Sequence, residues 1–326
     1  MSNAPTPRGG ATGRRQSSRI LVIGCGFIGT NIVEELVRLR RPPAVLTRSN
    51  PSGAVAKCIA GADLHVGSAT DPAALNKALE GVGHVIFSAG GLLPADSEKN
   101  PDLDARLTLE PVEAVLAALT ERPGVALTYL SSGGTVYGEP ETVPVPEDAP
   151  TTAFGAYGRL HLAAETAVLD HANRHDTPVR ILRCSTVYGP HQAPDRGQGV
   201  VVTFLHHIRC GKPVEIFGDG GTIRDYIYVR DVARVVAELV DRRDGPTILN
   251  VGCGEGTSLR EILTLAEAEV GTQAVVLTHP KREFEVRRIV LDVTRLKGLI
   301  GFQPTPLADG IAATQRWLAS RIPQHV

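Results

Sequence analysis

The residues Gly24-Cys25-Gly26-Phe27-Ile28-Gly29 carry a G-x-G-x-x-G spacing directly after the apolar run at 20–23. Glycines so placed let the backbone bend tightly and approach a pyrophosphate, and the helix that follows offers free N–H groups and a positive dipole end. The turn therefore points to a dinucleotide held on Gly24, Gly26, Phe27, Ile28 and Gly29; a tight turn with only a structural purpose is the plainer alternative. At the end of the next apolar run stand Thr47-Arg48-Ser49, with no Asp or Glu beside them. A carboxylate at that place would hold the adenosine ribose of NAD(H) and repel a 2′-phosphate. Arg48 can pair with such a phosphate in a two-pronged fashion, and Thr47 and Ser49 can donate to it. NADP(H) is the favoured cofactor and NAD(H) the alternative, the latter if Arg48 merely stacks on adenine.

The elements that must position this turn follow from hydrophobic patterning. The run at 20–23 is continuous, as in a parallel strand buried on both faces, and Ile28, Ile32, Val33, Leu36, Val37 and Leu39 then recur at helical spacing. Further strands are predicted at 44–46, 64–66, 84–87, 126–130 and 179–182, with helices near 73–79, 107–119 and 156–172. Regular alternation of strand and helix predicts an α/β fold with a doubly wound parallel sheet of the Rossmann kind. From about Pro190 the rhythm breaks into glycine- and proline-rich stretches with shorter elements, and the chain re-enters the sheet once at 248–251. The expected organisation is a disordered tail at 1–18 and a cofactor domain at 19–190, with its sheet completed by 247–252. A smaller mixed substrate lobe at 191–326 completes it.

Bulk composition narrows the function further. Of 326 residues, 42% are hydrophobic and 21% charged, ordinary for a globular chain, and the net charge of −1 argues against nucleic-acid binding, which needs a concentrated positive patch. The five cysteines are Cys25, Cys58, Cys184, Cys210 and Cys253; they are scattered and form no C-x-x-C pair. Neither a disulfide framework nor a zinc site is expected, and a reducing compartment is the natural setting. No apolar run reaches the eighteen residues of a membrane span, and residues 1–18 lack the apolar stretch of a signal peptide. The expectation is a cytoplasmic chain with no metal.

Four segments together carry a stronger signal. They are Leu130-Ser131-Ser132-Gly133-Gly134-Thr135-Val136-Tyr137-Gly138, then Ala156-Tyr157-Gly158-Arg159-Leu160-His161, then Arg183-Cys184-Ser185-Thr186-Val187-Tyr188-Gly189-Pro190, and last Arg224 to Val232. In this order the chain from 19 to about 318 resembles the extended short-chain dehydrogenases/reductases, in the nucleotide-sugar epimerase/dehydratase branch. The resemblance implies a Y-x-x-x-K pair for proton exchange with a sugar oxygen. Tyr157 matches its tyrosine, and His161 stands where the lysine would be, to tune Tyr157 and bond the nicotinamide ribose; both are expected to touch the cofactor as well. It also implies a hydroxyl on the sugar oxygen; that position is Gly133, and Thr135, two residues on and on the same side of a pleated strand, is the expected substitute, with Ser132 the alternative. Ser68 replaces an acid near adenine; with Ala69, Ala89 and Gly90 it is expected to line the cofactor. Thr186 replaces an asparagine on the substrate side, and Arg224 and Arg282 match two arginines for a nucleotide diphosphate.

The resulting expectation is an NADPH-dependent ketoreductase acting on a nucleotide-linked 4-keto-6-deoxyhexose, because an epimerase returns its hydride to the same sugar whereas a net reductase draws on the NADP pool. The first alternative is an NAD-dependent nucleotide-sugar 4-epimerase. The second is a non-catalytic dinucleotide sensor, which Gly133 and His161 would suit and the two arginines would not. A homodimer formed through the helices near 107–119 and 156–172 is implied by the resemblance.

Overall fold

The computed structural model describes residues 19–194, 199–280 and 286–321. In chain order the first half runs β1 (Arg19–Ile23), α1 (Phe27–Arg38), β2 (Ala44–Thr47), α2 (Gly53–Cys58), β3 (Asp63–Val66), α3 (Pro72–Ala78), β4 (Val82–Phe87), α4 (Pro94–Lys99), α5 (Pro101–Thr120), β5 (Ala126–Ser132), α6 (Gly155–His175) and β6 (Val179–Cys184). The second half continues with β7 (Thr186–Tyr188), α7 (Val200–Arg209), β8 (Val214–Phe217), β9 (Ile223–Tyr228), α8 (Val229–Leu239), β10 (Ile248–Val251), β11 (Gly256–Ser258), α9 (Leu259–Val270), β12 (Val276–His279), β13 (Arg288–Ile289), α10 (Thr294–Ile300) and α11 (Leu307–Ala319).

Seven strands form one parallel sheet in the order β10-β6-β5-β4-β1-β2-β3. Helices cover both faces, and β1 shows why. Ile20 and Val22 point into a core shared with Ile32, Val33 and Leu36 of α1 and with Val232, Val235 and Val236 of α8, whereas Leu21 and Ile23 join a second core with Val112, Val115 and Leu116 of α5 and Val168 of α6. Successive residues of a strand face opposite sides, so a continuous apolar run is the sequence of a strand packed on both. Strand order reverses direction between β1 and β4, the switch point where α/β sheets bind ligands beyond the carboxyl ends of their strands.

A second sheet gathers β7, β11 and β13 around β9, and β12 pairs with β8. Asp225 of β9 locks this region to the main sheet. Its buried carboxylate accepts the backbone N–H groups of Cys253, Gly254 and Leu291 and the Ser185 hydroxyl. Among the described residues no helix is long and apolar enough to cross a membrane. Arg282 lies outside the described residues.

Candidate active site

Each glycine of the first turn has its own physical reason. Gly24 sits at φ +99, and a Cβ there would lie 2.6 Å from the Ala89 nitrogen, so the turn closes against the end of β4. A Cβ on Gly29 would come within 2.0 Å of the Gly24 carbonyl oxygen, so α1 can pack on β1 only without a side chain there. Gly26 differs: nothing lies within 4 Å of its would-be Cβ, and it is exposed. Gly26 also stands at the N-terminus of α1, which has no side-chain cap and no acidic residue in its first turn. Two closed glycines hold an open one beside uncapped helix N–H groups, a cradle that fits a pyrophosphate.

The other sequence-predicted cofactor residues stand around the same strand ends. Gly24 donates to the Leu46 carbonyl, Gly67 to the Thr47 carbonyl, and the Ser88 hydroxyl to the carbonyls of Ile23 and Gly24. Ala89 and Gly90 follow β4 directly. Thr47 is half-buried; Arg48 and Ser49 are exposed, and Arg48 makes no ion pair with any described residue. Ser68 accepts from the Thr70 backbone, Ala69 is buried, and Asp71 caps α3 through the Ala73 N–H.

Tyr157 and His161 lie one turn apart near the start of α6, with ring centroids 4.5 Å apart. Helix α6 has no capping side chain of its own, and Glu98 of α4 accepts the Ala156 N–H in its place. His161 is buried, and its Nδ1 is 3.1 Å from the Tyr129 hydroxyl of β5. Burial pulls the His161 pKa down to about 4, with Asp104 opposing weakly, so the imidazole is neutral near pH 7. Burial likewise pushes the Tyr157 phenol up to about 12; the Asp104 carboxylate adds to this and the Ser132 hydroxyl works against it. Asp104 is a buried residue of α5 whose Oδ1 accepts from the Leu92 N–H and the Thr108 hydroxyl.

The structure corrects the premise used for Thr135. Strand β5 ends at Ser132 and the chain turns, with Thr135 and Val136 both donating to the Ser132 carbonyl, so alternation along a pleat does not reach residue 135. The Thr135 hydroxyl points back to that same carbonyl at 3.3 Å. Thr135 nevertheless borders the site, because a Cβ on Gly158 would be 3.0 Å from its carbonyl oxygen. Of the hydroxyls here, that of Ser132 is the one that holds the Tyr157 phenol down against burial. Gly133 has no room for the missing serine: its Cβ would stand 2.7 Å from Leu291 and 2.8 Å from the Arg183 carbonyl.

Beneath this site runs a buried polar chain. Arg183 of β6 grips Glu165 of α6 with both its Nε and Nη2, at 3.1 and 2.7 Å, while Ser131 donates to the same carboxylate. Arg183 also donates to the Tyr137 hydroxyl, which donates in turn to Asn250 of β10. Thr186 is half-buried on β7, opposite Tyr226 of β9. Arg224, on the same strand, is half-buried and donates to the Ile223 carbonyl. Sequence reasoning did not find Asp104, Glu98 or Tyr129 as site residues, since each acts on a partner more than twenty residues away.

Comparison with known proteins agrees with this architecture. The NAD dependent epimerase/dehydratase family matches residues 20–252. The chain belongs to this family. Among curated relatives, the UDP-glucose 4-epimerase of Mycolicibacterium smegmatis is 35% identical over 228 residues, covering 69% of this chain and 72% of that protein. The dTDP-4-dehydro-6-deoxyglucose reductase of Escherichia coli is 27% identical over 301 residues, covering 90% of this chain and 95% of that one. Among solved structures, the Thermus thermophilus UDP-glucose 4-epimerase in complex with NAD superimposes with a TM-score of 0.85 at 30% identity, covering 93% of this chain and all of that one. Epimerases, reductases and dehydratases of nucleotide sugars thus share this framework.

Proposed function

We propose that this protein is an NADPH-dependent ketoreductase acting on a nucleotide-linked 4-keto-6-deoxyhexose. One observation carries the choice: beside Tyr157, the candidate proton-transfer group, a buried His161 held to Tyr129 stands where a lysine would keep a cation, with ring centroids 4.5 Å apart. Epimerisation of a hexose begins by removing a proton from a sugar hydroxyl, which asks for a phenolate and a nearby cation. Reduction of a ketone ends by giving a proton to the new alkoxide, and a phenol held at about pKa 12 is charged with that proton across the neutral range. The exposed Arg48, with no carboxylate beside it, supports the phosphorylated cofactor.

The residues divide the work accordingly. Gly24, Gly26 and Gly29 with the α1 N-terminus hold the pyrophosphate, and Thr47, Arg48 and Ser49 the 2′-phosphate. When bound, the reduced nicotinamide supplies a hydride to the keto carbon. Tyr157 protonates the sugar oxygen, Ser132 and Thr135 offer hydroxyls at the strand end, and the Tyr129 bond keeps His161 fixed beside the phenol. Residues 191–326 mainly form the substrate side, where Arg224 and Arg282, with Thr186 of β7, meet the nucleotide. Two copies pair through α5 and α6, which pack side by side on one face of the sheet.

The second reading, an NAD-dependent 4-epimerase, is favoured by the 35% identity to the mycobacterial enzyme. A paired assay tests the two. Purified protein receives NADPH or NADH with TDP-4-keto-6-deoxyglucose, and separately UDP-glucose or UDP-galactose with NAD. Cofactor oxidation confined to the keto sugar supports the reductase; hexose interconversion without net oxidation supports the epimerase. Intact cofactor binding with neither would leave a sensor.

A further inference from the structure

On the flank of α1, away from the sheet, three side chains from three separate elements face one another. Glu34 is on α1, Cys58 is the last residue of α2, and His191 follows the Gly189-Pro190 turn after β7. The Cys58 sulfur is 3.6 Å from His191 Nε2, and the same nitrogen is 3.9 Å from a Glu34 carboxylate oxygen. One candidate ligand atom from each residue lies within 4.8 Å of the other two, and among the described residues this is the one such trio of His, Cys, Asp or Glu.

The spacing is that of ligands around a tetrahedral ion. With zinc–sulfur and zinc–nitrogen bonds of about 2.3 and about 2.1 Å, sulfur and nitrogen stand about 3.6 Å apart, and nitrogen and oxygen about 3.4 Å. The thiol and imidazole already have that separation. Glu34 would need to close on that nitrogen by about half an ångström and on the sulfur, now within 4.8 Å, to about 3.6 Å, which a side chain 35% exposed can do by a rotamer adjustment. His191 is fixed for the purpose: its side chain is 4% exposed, its ring meets Trp317 edge-on, and its backbone sits at φ +71. The preceding Pro190 carbonyl accepts from Asn31, one turn before Glu34 on α1. The other oxygen of Glu34 is 3.7 Å from Arg230, an arrangement that orients a metal-binding carboxylate from its outer side.

We propose that Glu34, Cys58 and His191 form a site for one zinc-like divalent cation, with a fourth position left to water. On binding, the Cys58 thiol loses its proton to solvent and ligates as thiolate, and His191 ligates as neutral imidazole through Nε2. The ion ties α1 to α2 and to the turn after β7, and so braces the helix that begins at the glycine cradle. A scan for cysteine pairs misses such a site, since its ligands lie 24 and 133 residues apart.

Titration of the metal-free full chain with Co²⁺ tests the proposal. A thiolate-to-cobalt charge-transfer band should grow to one equivalent per chain, bleach on adding Zn²⁺, and be absent in Cys58→Ser. Glu34→Gln should keep the band but weaken binding at least tenfold. No band in the wild-type protein at saturating Co²⁺ overturns the site, and so does a band of wild-type strength in Cys58→Ser, which would place the metal on another cysteine. If Cys58→Ser does not fold, thermal melts of the wild-type protein and Glu34→Gln decide. Zn²⁺ should raise Tm in the first more than in the second, and equal rises overturn the proposal.

Discussion

At the residue scale the protein turns on what stands beside a tyrosine. A lysine four residues after Tyr157 would hold a positive charge near the phenol; His161 is buried, bonded to Tyr129 and neutral. Tyr157→Phe should lower kcat at least a hundredfold while leaving cofactor binding unchanged by fluorescence titration; retained turnover would remove Tyr157 from the mechanism. The pH profile sharpens this. A proton donor loses activity as pH rises through its own pKa, so reduction should stay flat from pH 7 to about 10 with a phenol at about 12. His161→Lys restores the cation and should move the alkaline limb to lower pH, whereas an unshifted limb would mean that residue 161 does not tune the phenol. Arg48→Ala should raise KM for NADPH about 10- to 100-fold, the loss of one charge-assisted pairing, and change KM for NADH little. Arg48 could be singled out from its type and place after β2, and Tyr157 and His161 from the family motif that they match. The choice between Ser132 and Thr135 could not be made from sequence, because it depends on β5 ending at Ser132, which takes Thr135 off the pleat.

At the element scale, the central strands β1, β2, β4, β5 and β6 followed from sequence because they are buried on both faces, and helices such as α1 because they bury one. Helix α5 begins six residues earlier than its apolar pattern suggests, at Pro101, and those added residues bring in Asp104. Proline in a first helical turn is a start signal, since its missing N–H would have had no partner there. Helix α2 left no such trace: it is six residues long and buries none of them. The glycine turn separates folding from binding. Gly26→Ala should leave Tm unchanged, because its φ of −83 suits alanine and its Cβ would meet nothing, yet weaken cofactor binding by obstructing the cradle. Gly29→Ala should lower Tm markedly, since its Cβ would overlap the Gly24 carbonyl. Equal melts for the two variants, measured by circular dichroism, would contradict these assignments.

At the scale of the whole molecule, alternation of strand and helix gave the parallel sheet and its re-entry at β10. What joins the two halves did not show in the sequence. The Arg183–Glu165–Ser131 cluster, the Tyr137–Asn250 bond and the three backbone amides on Asp225 are contacts among residues far apart along the chain. The buried histidines give the fold a pH dependence. Burial lowers the pKa of His84 to about 3 and of His161 to about 4, against about 6.5 in the unfolded chain. Above pH 6.5 both are neutral in either state; as pH falls below it the unfolded chain takes up protons first, so stability is lost from 6.5 downward. By pH 5 the loss should be about 2 kcal/mol for each. Urea melts at pH 7 and pH 5 measure it, and equal stabilities would contradict the burial.

Isotope transfer reads net reduction directly. The protein is given NADPH deuterated at the transferring position of the nicotinamide together with TDP-4-keto-6-deoxyglucose. One deuterium should appear at the former carbonyl carbon for each NADPH oxidised. Unlabelled sugar with no cofactor consumed, together with interconversion of UDP-glucose and UDP-galactose in parallel samples, would contradict the account.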